Sequence, residues 1–194
     1  MNKIALFTMF LAFAFFSCKD SEVKNDRLEI AKQYYRALDT SDGLQMKGLL
    51  SDSLVVKQTE YDYEQAFTKE EYIGKWLKWD SVFHPTYEVL EIEQQSEIVK
   101  VKISKLDKRI FFLHGKPYIT NETIKFRKDK ISVVEVSDVN FDAKTWERNR
   151  SELLKWVDEN HPELDGFIFD QTKSGGLKYL KVMQLYQKKT DVSE

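Results

Sequence analysis

Four residues of this chain belong to the two types that most often act as nucleophiles or metal ligands: one cysteine, Cys18, and three histidines, His84, His114 and His161. The histidines are 30 and 47 residues apart (84 to 114, 114 to 161), so none has a partner at the spacing of a metal motif. His84 and His161 each precede a proline, and His114 precedes a glycine, which is typical of helix ends and turns. The sequence contains neither a phosphate-binding glycine loop nor a Gly-x-Ser-x-Gly motif. We therefore expect no metal and no cofactor.

Cys18 follows an apolar segment at the start of the chain. Residues 4–16 contain a single polar residue, Thr8, and come directly after Lys3. A segment of this length is too short for a permanent transmembrane helix, which needs about 20 residues, but it is typical of a secretory signal peptide. The Ser17-Cys18 pair at its end resembles the lipobox of bacterial lipoproteins. An ordinary signal peptide with a coincidental cysteine is the alternative interpretation.

The resemblance to lipoproteins implies that residues 1–17 are removed and that Cys18 becomes the lipidated first residue, which carries palmitate or a related acyl chain. Because two or more acyl chains anchor a protein stably, such a protein stays on the membrane. Residues 18–25 would then be the tether. Lys19 and the acidic residues after it also resemble the surface-export signal of Bacteroidota lipoproteins. We expect a lipid-anchored protein of the bacterial cell envelope, on the periplasmic or the surface face of the outer membrane.

The composition is that of a folded domain with balanced surface charge. Of the 194 residues 42% are hydrophobic and 13% aromatic, which is too apolar for a disordered protein. Its 30 Lys and Arg against 32 Asp and Glu give a formal net charge of −2, so no cationic excess is present to neutralise nucleic-acid phosphates. We expect one main domain at residues 26–140 and no nucleic-acid partner.

Apolar residues recur first with the period of a helix and then with the period of a strand. Three helices are expected before residue 85, with Asp26 and Thr68 as N-caps of the first and the third. Between Val99 and Ile103 apolar and polar residues alternate, which indicates a strand with one buried face. The predicted strands are residues 54–59, 87–93, 99–103, 110–113, 118–126 and 131–139. This order predicts an α+β fold with an antiparallel sheet.

Two segments of the chain resemble the NTF2-like superfamily, and its SnoaL-like members in particular. Residues 34–42 end a helix in Ala37-Leu38 and continue into a polar break, and residues 49–56 lead through Asp52 into a strand at Val55 and Val56. The resemblance covers about residues 26–139. It implies a cone in which a curved antiparallel sheet wraps three N-terminal helices and leaves a pocket at its wide end. Members of the superfamily use this pocket for isomerisation, dehydration or cyclisation, or for binding alone.

In ketosteroid-isomerase-like members of the superfamily, a tyrosine and a carboxylic acid bind an oxyanion while a carboxylate acts as the base. The resemblance implies that Tyr34 occupies the tyrosine position, that Glu122 lies near the acid position and that Gln58 occupies the base position. An amide does not accept a proton near neutral pH, so this kind of proton transfer should fail. Glu60 or Asp62 would replace the base only if their loop folded inward.

The candidate ligand-pocket residues are therefore Tyr34, Gln58, Trp76, His84 and Glu122, and the candidate catalytic residues among them are Tyr34, His84 and Glu122. Each also has a plainer interpretation. A tyrosine on an apolar helix face is more often a core residue with its hydroxyl at the rim. Glu122 lies between two polar strand residues, where an outward, solvated side chain is more common. Trp76 is more often a packing residue than a platform for a sugar, and His84 more often ends a helix.

Residues 141–194 form an extension beyond the predicted cone. Apolar residues at helical spacing predict a helix at 143–159, and Ser174 is the expected cap of a final helix. Two amphipathic helices must bury their apolar faces, so we expect them to pack on the sheet or at the mouth of the pocket.

Taken together, these features predict a membrane-anchored envelope lipoprotein with an α+β, NTF2-like domain that binds a small ligand or a protein. The expected partners are the membrane, through lipidated Cys18, a small apolar ligand, and a second copy of the chain through the sheet. The alternative is a SnoaL-like or ketosteroid-isomerase-like lyase or isomerase. Convergence of Tyr34, His84 and Glu122 in one cavity would favour that alternative.

Overall fold

The computed structural model describes residues 20–191, with side chains described for residues 27–189. The predicted signal peptide (residues 1–17), the lipidation site Cys18 and the start of the tether lie outside the described residues. Within this range the chain forms one six-stranded sheet and six main helices. The strands are β1 (Leu50–Gln58), β2 (Tyr63–Thr68), β3 (Thr86–Gln95), β4 (Ile98–Leu106), β5 (Tyr118–Arg127) and β6 (Lys130–Asp138).

The sheet is mixed, which corrects the prediction of an antiparallel sheet. Its strand order is β2-β1-β6-β5-β4-β3, and the β1–β6 pair is parallel, with Val56 opposite Val134. The other four pairs are antiparallel. Alternation of apolar residues predicts which face of a strand is buried but not its direction, so the sequence pattern could not distinguish the two arrangements. Register shifts in three of the pairs mark irregularities of the kind that bend and curve a sheet.

Three helices precede β3: α1 (Asp20–Asp39), α2 (Gly43–Leu49) and α3, which spans residues 69–81. Helix α1 begins before its predicted cap, Asp26, and includes the backbone of residues 20–25. The prediction for Thr68 is confirmed, because its hydroxyl and the Glu71 carboxylate each accept the backbone N–H of the other residue at 3.1 Å. The middle of α3 (Tyr72–Leu77) is a π-helix.

Helix α4 (Lys108–His114) lies where the sequence predicted a strand at residues 110–113. The Asp107 carboxylate accepts the Ile110 N–H at 2.6 Å and starts the helix, and Gly115, at φ 76°, ends it in the left-handed conformation. A short apolar run has no period that separates helix from strand, so the correct signals were the cap and the glycine. Strand β2 was not predicted, since its residues are largely exposed and alternate weakly.

Two more helices, α5 (Ala143–Asn160) and α6 (Lys173–Asp191), follow the sheet. The start of α5 at Ala143 was predicted. The two helices pack against α4 and the last turn of α3. Gly176 permits this close approach, because a Cβ atom there would lie 3.1 Å from the carbonyl oxygen of Trp79.

The buried apolar side chains form two separate clusters. The sheet cluster lies between α1, α2, α3 and the sheet; its largest fully buried members are Tyr35, Tyr72, Met46, Leu50, Leu54, Leu77, Ile103, Ile124 and Ile131. The tail cluster joins α3 and α4 to the C-terminal extension; it comprises Trp79, Phe83, Leu113, Leu153, Trp156, Val157, Leu164, Phe167, Tyr179, Val182 and Met183. The cavity described below is bordered by residues of both clusters.

Candidate functional site

A cavity of about 440 Å³ opens between the sheet, α3 and the C-terminal extension. This volume is in the range of small-molecule sites. Aromatic side chains dominate its wall, and six of the lining residues are tyrosines: Tyr34, Tyr61, Tyr63, Tyr72, Tyr87 and Tyr118. Phe141, Trp146 and Gln171 of the extension also line it, so the extension contributes to the wall, as expected of a segment at the mouth.

Glu122 of β5 forms the acidic part of the wall. Its side chain points to the helices, and its two carboxylate oxygens accept hydrogen bonds from the Tyr35 hydroxyl at 2.8 Å and the Thr120 hydroxyl at 2.9 Å. Burial raises the pKa of Glu122 above its usual range, against the opposing effect of these two hydrogen bonds and of the Lys105 charge. Such a carboxyl group can serve as a proton donor closer to neutral pH than a solvated glutamate.

Tyr34 of α1 and Tyr72 of α3 form a hydroxyl pair beside this carboxyl group. Their oxygens are 3.0 Å apart, and both side chains are buried. Burial raises the pKa of Tyr34 and of Tyr72, so both hydroxyls stay protonated and one of the pair has a proton free to donate. Trp76 stacks on the Tyr72 ring with centroids 4.9 Å apart and continues the aromatic wall.

A second polar group lies where β4 meets α4. Asp80 is fully buried and accepts hydrogen bonds from the Lys105 ammonium at 2.6 Å and the Tyr87 hydroxyl at 2.8 Å. The Lys105 Nζ lies 3.8 Å from the second buried carboxylate, Asp107, and the Arg109 guanidinium lies 3.5 Å from the same Asp107 oxygen. Two cations thus balance two carboxylates, as buried charges require. Lys105 and Arg109 line the cavity.

No family model and no curated protein matches this chain. Solved structures do match. A candidate ketosteroid isomerase from Kribbella flavida superposes with a TM-score of 0.50 at 9% identity, over 61% of this chain and 82% of that chain. An NTF2-like protein of unknown function from Burkholderia xenovorans superposes with a TM-score of 0.48 at 16% identity, over 65% of this chain and 94% of that one.

The chain has an NTF2-like fold. A further NTF2-like protein of unknown function, from Cytophaga hutchinsonii, superposes with a TM-score of 0.46 at 14% identity, over 61% of this chain and 91% of that chain. At such identities the likeness is one of fold, because the same fold carries unrelated chemistry in different proteins. What the NTF2-like cavity does has to be argued from its own residues.

Four of the five predicted pocket residues line the NTF2-like cavity: Tyr34, Gln58, Trp76 and Glu122. His84 does not line it. It is exposed in the turn after α3, at φ 55°, with its side chain on the outside of the protein. Tyr34 and Glu122 are thus brought to one cavity, and His84 is not.

The position expected for a base holds Gln58, and neither acidic residue of the following loop replaces it. Glu60 is exposed, and its carboxylate accepts the backbone N–H of Asp138 at 2.9 Å. Asp62 is exposed at the turn before β2, at φ 47°. Neither residue lines the cavity, so Glu122 is the only carboxylate in the described wall.

Sequence reasoning missed Tyr35, Asp80, Lys105 and Arg109. A signal for Lys105 was present, since it continues the series Val99, Val101 and Ile103 on the face of β4 that the alternation marks as buried. Arg109 directly precedes residues 110–113, which were wrongly predicted as a strand. Among residues 20–191 the structure has no group of His, Cys, Asp and Glu residues that would hold a metal ion. In the same range no helix is long and apolar enough to span a membrane.

Proposed function

We propose that this protein is a lipid-anchored lipoprotein of the bacterial cell envelope whose NTF2-like domain binds a small, partly apolar molecule in its cavity. The observation that carries the binding function is the wall itself: aromatic side chains enclose about 440 Å³, and a few polar groups converge on that space. The amide of Gln58 supports binding over proton abstraction, because no carboxylate stands at that place in the wall.

Native mass spectrometry of the protein purified from envelope extracts tests this proposal. We expect a bound small molecule in the native protein. Val136→Phe, which fills the cavity from the β6 wall, should abolish its retention. Val139→Phe is the matched control, since Val139 is exposed and does not line the cavity. Equal retention in both variants would contradict binding in the cavity.

A lyase or isomerase is the second candidate, and one observation favours it. Glu122 has a pKa raised by burial and lies with the Tyr34–Tyr72 hydroxyl pair in one cavity, which is how a site for acid catalysis is built. The test is incubation of the recovered ligand with native protein and with Glu122→Gln. A change in the ligand that requires Glu122 would favour catalysis, and an unchanged ligand would favour binding alone.

The proposal that Cys18 is the membrane anchor rests on the sequence. When the full chain is expressed in a bacterium with lipoprotein processing, Cys18→Ala should move the protein out of the membrane fraction. Ser21→Ala keeps the cysteine and should leave the protein with the membrane. Sedimentation of Cys18→Ala with membranes would contradict lipid anchoring. A homodimer through the sheet stays a prediction, and analytical ultracentrifugation of the chain without its leader would detect it.

A further inference from the structure

We propose that the ligand of this cavity is an amphipathic monocarboxylate, whose acid group binds Arg109 with Lys105 beside it and whose apolar part lies among the aromatic rings. The inference rests on the proposed binding function and adds the chemical class of the ligand. It is carried by the unused hydrogen-bonding capacity of Arg109 and by the way charge is distributed along the wall.

Arg109 has donors that its protein partner does not use. Its ion pair with Asp107 spans 3.5 Å, and neither the Arg109 Nε nor the Asp107 Oδ2 has a hydrogen-bond partner among the described residues, although both atoms are buried. A buried N–H without an acceptor is costly. A carboxylate in the cavity would supply the acceptor, and the planar fork of a guanidinium suits it.

Aromatic rings hold the Arg109 guanidinium in place. Its Cζ lies 4.8 Å from the centre of the Trp79 ring, 5.6 Å from that of Phe83 and 5.8 Å from that of Trp146. Such contacts stabilise a cation and fix its orientation before a ligand arrives. Because Trp79 and Trp146 also line the cavity, the same rings offer an apolar surface to the rest of the ligand.

In the buried group of two cations and two carboxylates, the cations line the cavity and the carboxylates do not. Lys105 and Arg109 line the wall, whereas Asp80 and Asp107 do not; they are buried behind it, with 0% and 3% of their surface exposed. The Lys105 Nζ and the Arg109 guanidinium lie within 4 Å of the same Asp107 oxygen, so they form one cationic pair. Since the carboxylates already balance this pair, the site suits one added negative charge better than the two of a phosphate.

In the part of the wall that the structure describes, the one acidic residue is Glu122, which lies at a different level of the sheet from Lys105. In the β4–β5 register Val101 is opposite Glu122 and Lys105 is opposite Tyr118. Four strand residues therefore separate the two levels, about 13 Å at roughly 3.3 Å per residue. A carboxylate at Arg109 lies at the level of Lys105, and the apolar part of the ligand extends along Tyr87 and Trp76 toward the level of Glu122.

Isothermal titration calorimetry with a matched pair of probes tests the inference: 2-naphthylacetate and its neutral amide, 2-naphthylacetamide. We expect the carboxylate to bind about tenfold or more tightly than the amide, the contribution of charge-assisted hydrogen bonds. Equal affinity of the two probes would overturn the monocarboxylate inference and leave the binding function standing. Binding of neither probe would overturn the inference and contradict binding of small aromatic molecules.

Three variants test whether Arg109 causes this preference. Arg109→Gln should remove the preference for the carboxylate while the amide still binds, and Arg109→Lys should keep part of it, because a charge remains without the fork. Lys108→Gln removes a neighbouring, exposed cation of the same helix and should leave the preference unchanged. A preference that survives Arg109→Gln, or that disappears in Lys108→Gln, would overturn the assignment. The comparison of the two probes uses the native protein alone, so it does not depend on whether any variant folds.

Discussion

The sheet cluster and the tail cluster are built from different side chains and serve the cavity differently. The sheet cluster combines residues of α1, α2 and α3 with aliphatic residues from alternate strand positions, such as Val101, Ile103 and Ile124. The tail cluster is formed by residues of helices and turns and includes the large rings of Trp156 and Phe167. The first packs the N-terminal helices against the sheet, and the second joins the extension, whose Trp146 lines the cavity, to α3 and α4.

The difference shows that the C-terminal extension is part of the site. Trp79 belongs to the tail cluster, and its neighbour Asp80 anchors Lys105 of the sheet. Trp146 and Gln171 complete the wall, and the Gln65 amide of β2 donates to the Gln171 side chain at 3.3 Å. A cone without this extension would have a wider and wetter mouth.

The largest expected effect tests whether the two clusters unfold together. Phe167→Ala removes a fully buried ring from the tail cluster and should lower the free energy of unfolding by about 3–5 kcal/mol. Phe169→Ala is the control, since Phe169 is 81% exposed and should change it by less than about 0.5 kcal/mol.

Two spectroscopic signals follow unfolding in this experiment. Trp79, Trp146 and Trp156 lie in or against the tail cluster, so tryptophan fluorescence follows mainly that part, whereas circular dichroism follows the whole fold. A single shared urea transition in native protein and variant would confirm one cooperative unit. A fluorescence transition that separates from the dichroism transition would show that the extension unfolds by itself.

The next largest effect tests the buried ion pair between Asp80 and Lys105. Asp80→Asn removes the carboxylate that accepts from Lys105 and leaves a largely buried ammonium without its closest counter-charge. We expect a loss of about 3 kcal/mol in the free energy of unfolding. Glu91→Gln breaks the exposed pair with Lys102 and should cost less than about 1 kcal/mol. Equal losses in urea denaturation would mean that burial of the first pair has no special weight.

The smallest expected effect is the pH dependence that Glu122 gives to the free energy of unfolding. Because burial raises the pKa of Glu122, its protonated form is favoured in the folded state. Its contribution to stability is complete below the unfolded value of about 4.3 and is lost as the pH rises through the folded value. Glu122→Gln should therefore gain stability relative to the native protein as the pH rises above the unfolded value of about 4.3.

Glu93→Gln provides the comparison for this pH experiment. Glu93 is exposed on β3, so its replacement should change the free energy of unfolding equally at acid and at alkaline pH. Urea denaturation of the three proteins at acid and alkaline pH gives the answer. A Glu122→Gln variant that tracks the native protein at every pH would contradict the effect of burial on this carboxyl group.

Local patterns predicted the parts of the fold that local physics determines. The capping box at Thr68, the alternation of β4 and the start of α5 at Ala143 each depend on residues within one or two turns of chain. Direction and pairing of strands depend on residues far apart, so the parallel β1–β6 pair left no mark on the sequence pattern. Helix α4 was not predicted, because an apolar run of four residues has no period that separates a helix from a strand.

The candidate site was predictable where a resemblance supplied positions, and not where charges meet through tertiary packing. Tyr34, Gln58, Trp76 and Glu122 lie in the wall, and each was named from its position on a predicted element. Arg109 depends on ring contacts with Trp146, which follows it by 37 residues (109 to 146), and no spacing in the sequence indicates such a contact. His84 is outside the wall because the chain turns away after α3.

The parallel pairing of β1 with β6 has a consequence for the order of folding. Val56 and Val134 are 78 positions apart (56 to 134), so the inner part of the sheet closes only after β6 has left the ribosome. Long-range parallel pairing is slow because a large loop must close before its contacts are made. A nascent chain with this topology therefore cannot complete its sheet before β6 is available to pair with β1.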